Sequence, residues 1–148
     1  MANFEYAYHL ASDRNTGPAI LPLPVAASQT LAVGDLVYLN SGAVTKRSTS
    51  CASVAGVMAQ ASDGATAGTL VRVAIIQPGQ VWRATADADA TSHVLAAKTY
   101  DINADQTVDV ADATTGCLQI LMLGESNTEV YVLFTAFDIG VLDNDTVS

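Results

Sequence analysis

Val33-Gly34-Asp35-Leu36-Val37-Tyr38-Leu39-Asn40-Ser41-Gly42-Ala43-Val44-Thr45-Lys46 opens the stretch that decides the fold. It continues through Ser53-Val54-Ala55-Gly56-Val57-Met58-Ala59, Thr69-Leu70-Val71-Arg72-Val73-Ala74-Ile75-Ile76 and Gln80-Val81-Trp82-Arg83. Short runs of β-branched and aromatic residues are separated by turn formers, Asn40-Ser41-Gly42, Ser62-Asp63-Gly64 and Gln77-Pro78-Gly79. That is the pattern of successive antiparallel strands joined by tight turns. Five strands are expected, at 35–39, 43–47, 53–59, 69–76 and 80–85. In the first, Leu36 and Tyr38 share one face while Val37 and Leu39 share the other, so burial on both sides is expected, as in a small barrel or sandwich. Gly56 inside the third run marks a bulge or the close approach of another backbone.

Beyond Arg83 the segment from Ala84 to Ala97 is rich in alanine and aspartate and reads as a loop followed by at most one helical turn at 91–97. Strands resume at 99–102 and 107–110. Cys117–Leu123 and Glu129–Phe134 then flank Gly124-Glu125-Ser126-Asn127-Thr128 as a hairpin. Residues 138–148 read as a loose acidic tail.

Before Val33 the pattern differs. Phe4, Tyr6 and Tyr8 alternate with Glu5, Ala7 and His9, as in a short edge strand. Pro18-Ala19-Ile20-Leu21-Pro22-Leu23-Pro24-Val25 follows, where three prolines remove backbone donors and fix φ, excluding a helix or a central strand. Residues 1–30 are therefore expected to form an extended Pro-rich arm, packed on its own domain or reaching a neighbouring subunit. The reading is an all-β chain: a small antiparallel β-barrel or β-sandwich of about nine strands over 31–137, with the arm before it.

A chain of 148 residues can bury one substantial core without staples. Its net charge of −9 argues against nucleic acid as a partner, because phosphate binding needs a basic surface. The N-terminal residues lack a basic and then apolar leader, and no window has the length of a membrane span, so no membrane partner is expected. Cys51 and Cys117 are far apart in sequence and form no Cys-x-x-Cys motif; two free thiols are expected, with a disulfide as the alternative.

The sharpest local pattern is Asp101-Ile102-Asn103-Ala104-Asp105-Gln106-Thr107-Val108-Asp109-Val110-Ala111-Asp112. Oxygen-bearing side chains at positions 1, 3, 5, 9 and 12 match the spacing of a calcium loop. Gln106 stands where the sharp turn wants Gly, Asp112 is shorter than the usual Glu, and there is no second copy. An acidic hairpin turning at Asn103-Ala104-Asp105-Gln106 is the favoured reading, with a calcium-dependent surface or secreted binding module as the alternative function. Asp87 and Asp89 read as a surface loop. His9 and His93 lack the partners of a nucleophilic triad, and no phosphate loop or zinc motif is present. Trp82 reads as a core or interface anchor. No catalytic residue, cofactor or metal ligand is assigned, and an enzyme is not expected.

Two stretches together carry a resemblance. The first is Leu31-Ala32-Val33-Gly34-Asp35-Leu36-Val37 with Ser53-Val54-Ala55-Gly56-Val57-Met58 and Leu70-Val71-Arg72-Val73. The second is His93 to Ile102, Val108-Asp109-Val110, and the hairpin from Leu118 to Phe134. Their style and order resemble the head-decoration, or cement, proteins of tailed bacteriophages. The resemblance implies a virion protein made in the host cytoplasm. It implies a protein that binds the capsid exterior, commonly as a homotrimer, and stabilises contacts between subunits of the major capsid protein. No catalytic set is carried over. Pro18, Ile20, Leu21, Pro22, Leu23 and Pro24 are the residues expected to contact the partner, since they are apolar or rigid and have no evident core role.

Overall fold

The computed structural model describes residues 4–11, 17–48 and 50–139, and the fold is all-β. In chain order the strands are β1 Glu5–His9, β2 Ile20–Pro24, β3 Thr30–Leu31, β4 Leu36–Asn40, β5 Ala43–Lys46, β6 Gly56–Met58, β7 Ser62–Asp63, β8 Leu70–Ile75 and β9 Gln80–Thr85. A single 3-10 turn at Thr91–His93 precedes β10 Asp101–Ile102, β11 Val108–Asp109, β12 Leu118–Leu123 and β13 Glu129–Phe134. The expected strands fall within a residue or two of these, except that the run at 53–59 contributes only Gly56–Met58. The two-residue ribbon of β3 and β7 was not foreseen, because Ser62-Asp63-Gly64 carries the signature of a turn.

Two sheets face one another in a sandwich-like arrangement. One has the order β1-β9-β13-β12, the other β2-β8-β6-β4-β5, and every ladder in both is antiparallel. The space between them is filled by Phe4, Leu36, Val54, Val57, Trp82, Tyr100, Leu118, Ile120, Val130, Val132 and their neighbours. Alternation explains the choice: along β13, Val130, Val132 and Phe134 turn inward while Tyr131 and Leu133 stay half-exposed.

The five-stranded sheet also buries its other face. Val25, Leu31, Val37, Val44, Met58, Val71, Val73 and Ile75 form a second cluster there. The sheet curls so far that its ends meet at one bridge, Val25 with Val44, where Ala26 N–H donates to the Val44 carbonyl at 3.0 Å. Leu36 and Val37 thus enter opposite cores, both with no exposure, as the double apolar pattern of β4 requires. Gly56 is where β6 passes β8: a Cβ there would run into the Ala74 carbonyl and the Val73 side chain, the close approach the glycine signalled.

Where residues 1–30 are described, they pack on their own domain, the first of the two placements expected for the arm. β1 is an edge strand of the four-stranded sheet, β2 is an edge strand of the five-stranded sheet, and Phe4 is buried. The prolines of β2 cost no ladder bond. Val25 N–H reaches the Thr69 carbonyl at 2.9 Å and the Ala19 carbonyl accepts from Ile75 N–H at 2.8 Å, so the odd-numbered residues point their backbone groups at β8. Pro22 and Pro24 occupy even positions, which face away from it.

The expected tail also begins later than the sequence suggests. Asp138 Oδ2 accepts from Leu39 N–H at 2.8 Å, its Oδ1 from the Ser53 hydroxyl, and its own N–H donates to the Val54 carbonyl at 2.7 Å. Ile139 packs on the second core. Residues 140–148 lie outside the described part.

The expectation of free thiols is overturned. Cys51 and Cys117 form a disulfide with Cα atoms 5.3 Å apart, and both are fully buried between the sheets. Their separation of 66 residues hides that the segment after β5 and the start of β12 meet across the first core. Restricting so long a loop in the unfolded chain is worth about 4 kcal/mol.

Candidate partner-binding surface

The six residues expected to contact a partner divide between the two faces of β2. In the ladder Ile20 lies opposite Ala74, Pro22 opposite Arg72 and Pro24 opposite Leu70, so these share the outward face. Leu21 and Leu23 lie opposite Val73 and Val71 and turn toward the second core, where Leu23 is half-buried. Ile20 is 46% exposed, Leu21 41% and Leu70 60%. Leu70 was missed by sequence reasoning because nothing in its own run shows that it stands against Pro24.

The face also carries the exposed Arg72, and past Ile20 it runs into a cavity of about 600 Å³. Its walls include Ala74, Pro18, Val33, Met58, Trp82 and Phe4. Val33 is 58% exposed, and Pro18 is half-buried. The rim is charged and net acidic by one: Arg83 is ion-paired with Glu5, and its Nη1 lies 3.5 Å from Glu129 Oε2. Trp82 is 2% exposed, packs edge-on against Tyr6 with ring centroids 5.5 Å apart, and donates from Nε1 to Gln80 Oε1 at 3.3 Å. It is a core anchor that also floors the cavity.

A second exposed apolar feature sits beside β12. Leu95 N–H donates to the Ile120 carbonyl at 2.9 Å, yet the Leu95 side chain is 71% exposed. Its φ of 52° and that of Ala97, 58°, lie in the left-handed region that costs a non-glycine residue on the order of 1 kcal/mol or more. The adjoining cavity of about 240 Å³ is lined by Leu95, Ala96, Ala97, Gln119, Ile120, Leu121 and Leu133, none of them charged.

The Asp101–Asp112 window forms the β10–β11 hairpin, with its turn at residues 103–106: Gln106 N–H donates to the Asn103 carbonyl at 2.9 Å. Its oxygen-bearing side chains are engaged in hydrogen bonds, with Thr107 shared between Asn103 and Asp105. Asp105 Oδ1 accepts from the Thr107 hydroxyl at 2.6 Å, Asn103 Nδ2 donates to Asp87 Oδ2 at 3.0 Å, and Asp109 Oδ1 accepts from Ala111 N–H at 3.1 Å. Among the described residues no three His, Cys, Asp or Glu side chains are grouped as a metal would require. Asp89, the neighbour of Asp87 in its loop, is held below the usual carboxylate range by the Thr91 hydroxyl and amide, and Asp105 likewise by Thr107. His93 Nδ1 lies 2.9 Å from the Tyr100 hydroxyl, whose proton burial makes harder to remove.

Gln106 is the residue whose role the sequence concealed. It is 2% exposed at a φ of 70°. Its Oε1 accepts from Leu36 N–H at 2.7 Å, and its Nε2 donates to the Arg47 carbonyl at 2.8 Å. One side chain therefore joins the hairpin to β4 and to the residue just after β5.

Asp101 is the buried carboxylate of this region, and burial first, then the nearby Asp112 and Asp109, pushes its pKa above the ordinary 3.8 against the bond from Cys51 N–H. The folded state therefore holds this proton more tightly than the unfolded chain. Its contribution to stability is complete below the unfolded value and is lost as pH rises from there through the raised folded value. Asp101→Asn keeps an acceptor for Cys51 N–H, so the variant should gain stability relative to the parent as pH rises through that window. Thermal unfolding of both proteins across the acidic range would check this, and parallel curves would refute it.

Comparison with protein-family models, with curated protein sequences and with solved structures gives no match. Among the described residues no helix is long and apolar enough to cross a membrane.

Proposed function

We propose that this chain is a non-catalytic structural protein of a phage virion, binding the outer surface of the head and reinforcing contacts between major capsid subunits. The observation that carries the reading is the outward face of β2 and β8. There Ile20, Pro22 and Pro24 on the rigid edge strand β2 and Leu70 on β8 present apolar surface around the exposed Arg72, beside the cavity at Pro18 and Val33. A cement protein acts by burying surface across subunit boundaries, at roughly 25 cal/mol per Å² of apolar area before ordering costs. Prolines at the contact limit those costs, since the strand has little freedom left to lose. The part of the proposal that invokes several copies, three being favoured, draws on the exposed Leu95 and the uncharged cavity beside it, which suit a contact between chains that each carry a net charge of −9.

The test is the copy number of the protein in gradient-purified particles from its source, by quantitative mass spectrometry against the most abundant shell protein. A simple stoichiometric ratio is expected, and absence from particles would end the proposal. On particles that bind the parent protein, Ile20→Glu with Leu70→Glu should weaken binding by about tenfold to a hundredfold, the scale of losing central apolar contacts. Both positions are exposed, so the melting temperature should stay close to that of the parent.

A further inference from the structure

The bond between Cys51 and Cys117 joins segments that other interactions already hold in place. Cys51 N–H donates to Asp101 Oδ1 at 2.7 Å, Cys117 N–H to the Tyr100 carbonyl at 3.0 Å, and Thr135 N–H to the Cys117 carbonyl at 2.8 Å. On the Cys51 side, Val54 bridges to Phe137, and Asp138 holds both Ser53 and Val54. Both cysteines sit in a core that the strands of two sheets assemble around them. Two thiols in this fold would already stand within reach of each other. Both backbone N–H groups of the pair donate to Tyr100 or Asp101, the entrance to the β10–β11 hairpin that Gln106 clamps to β4.

We infer that Cys51–Cys117 is a late-closing redox lock. The chain folds as a dithiol, and an external small-molecule disulfide then closes the bond, which tightens the hairpin onto the rest of the fold. In chemical terms, the thiolate of one cysteine attacks the small disulfide, releasing one small thiolate and leaving a mixed disulfide. The thiolate of the other cysteine attacks the protein sulfur of that bond and expels the second small thiolate. Two protein thiols are thereby oxidised, one small disulfide is reduced to two thiols, and the cysteine protons pass to solvent or to the departing thiolates. Because neither sulfur-bearing residue is exposed, reagent can enter only when the core opens, so a bond once closed is kinetically protected under native conditions. The inference goes beyond the head-binding proposal and stands or falls separately, since its tests use the isolated protein.

Protein purified without reductant and unfolded in denaturant should show no free thiol, or should reach that state after incubation with oxidised glutathione. Protein unfolded and refolded in reductant should regain the β-sheet circular dichroism of the oxidised form but melt about 10–20 °C lower. Adding oxidised glutathione should restore the higher melting point. Hydrogen exchange should slow most at 51–54 and 100–112 on oxidation. Cys51→Ala with Cys117→Ala should match the dithiol form and ignore glutathione. An unfolded dithiol form would overturn the inference, making the bond a condition of folding instead of a lock. Equal melting points of the two forms, thiols that glutathione leaves free, or exchange changes spread evenly over the chain would each overturn it as well.

Discussion

Trp82→Ala is expected to lower stability by about 3–5 kcal/mol, the range for removing a large aromatic from a core. The indole is 2% exposed in the layer between the sheets, stands against Tyr6, and gives its only N–H to Gln80. Its removal would extend the neighbouring 600 Å³ cavity into the core formed with Val57 and Ala74, and would leave Gln80 Oε1 without the indole donor. Trp82→Phe keeps much of the apolar area and should cost less than half as much. Urea unfolding followed by circular dichroism is the suitable measurement, because the chain has one tryptophan and the variants lose that fluorescence. A loss under about 1 kcal/mol for Trp82→Ala would mean that the sheets do not depend on this anchor.

Gln106→Ala is expected to cost about 2–4 kcal/mol, from two buried or half-buried backbone groups that lose their partners together. The two ends of this amide bridge Leu36 N–H and the Arg47 carbonyl, beside the direct bond from Arg47 N–H to the Leu36 carbonyl at 2.8 Å, and Leu36 itself has no exposure. Gln106→Glu separates the two contacts. It can still accept from Leu36 but presents an oxygen to the Arg47 carbonyl, so it should recover little of the loss at neutral pH. Gln106→Gly relieves the positive φ of 70° and should therefore be less damaging than alanine by roughly 1 kcal/mol, although it lacks the clamp as well. If alanine and glycine were equally harmless, the hairpin would be held by other contacts.

How far the sequence could be read depended on how local each signal was. The paired alternation of β13, the double apolar character of β4, the glycine at the β6–β8 crossing and the turn at 103–106 are all carried by neighbours in the chain. The partners of those elements are not. That β1 lies beside β9, that Leu70 faces Pro24, and that Cys51 meets Cys117 are long-range facts with no trace in the residues around them. Gln106 illustrates the difference well. In the sequence it is a misfit in a calcium-like loop, whereas its side chain bonds are made to residues 70 and 59 positions away. The candidate surface was legible as a segment but not as a face. Apolar character at Pro18–Pro24 was evident, while the division of its side chains between outside and second core follows from pairing with β8.

The prolines of β2 also bear on what happens at high concentration. A strand at the rim of a sheet can recruit another chain into a growing cross-β stack, and an apolar one is the most hazardous. Along the rim of β2 the even positions after Ile20 are Pro22 and Pro24, which offer carbonyl oxygens and no N–H. An incoming strand would find acceptors opposite its own donors but nothing to bond its carbonyls at two successive sites. The chain can thus leave Ile20 and Leu70 exposed in crowded solution while remaining a poor template for fibrous aggregation.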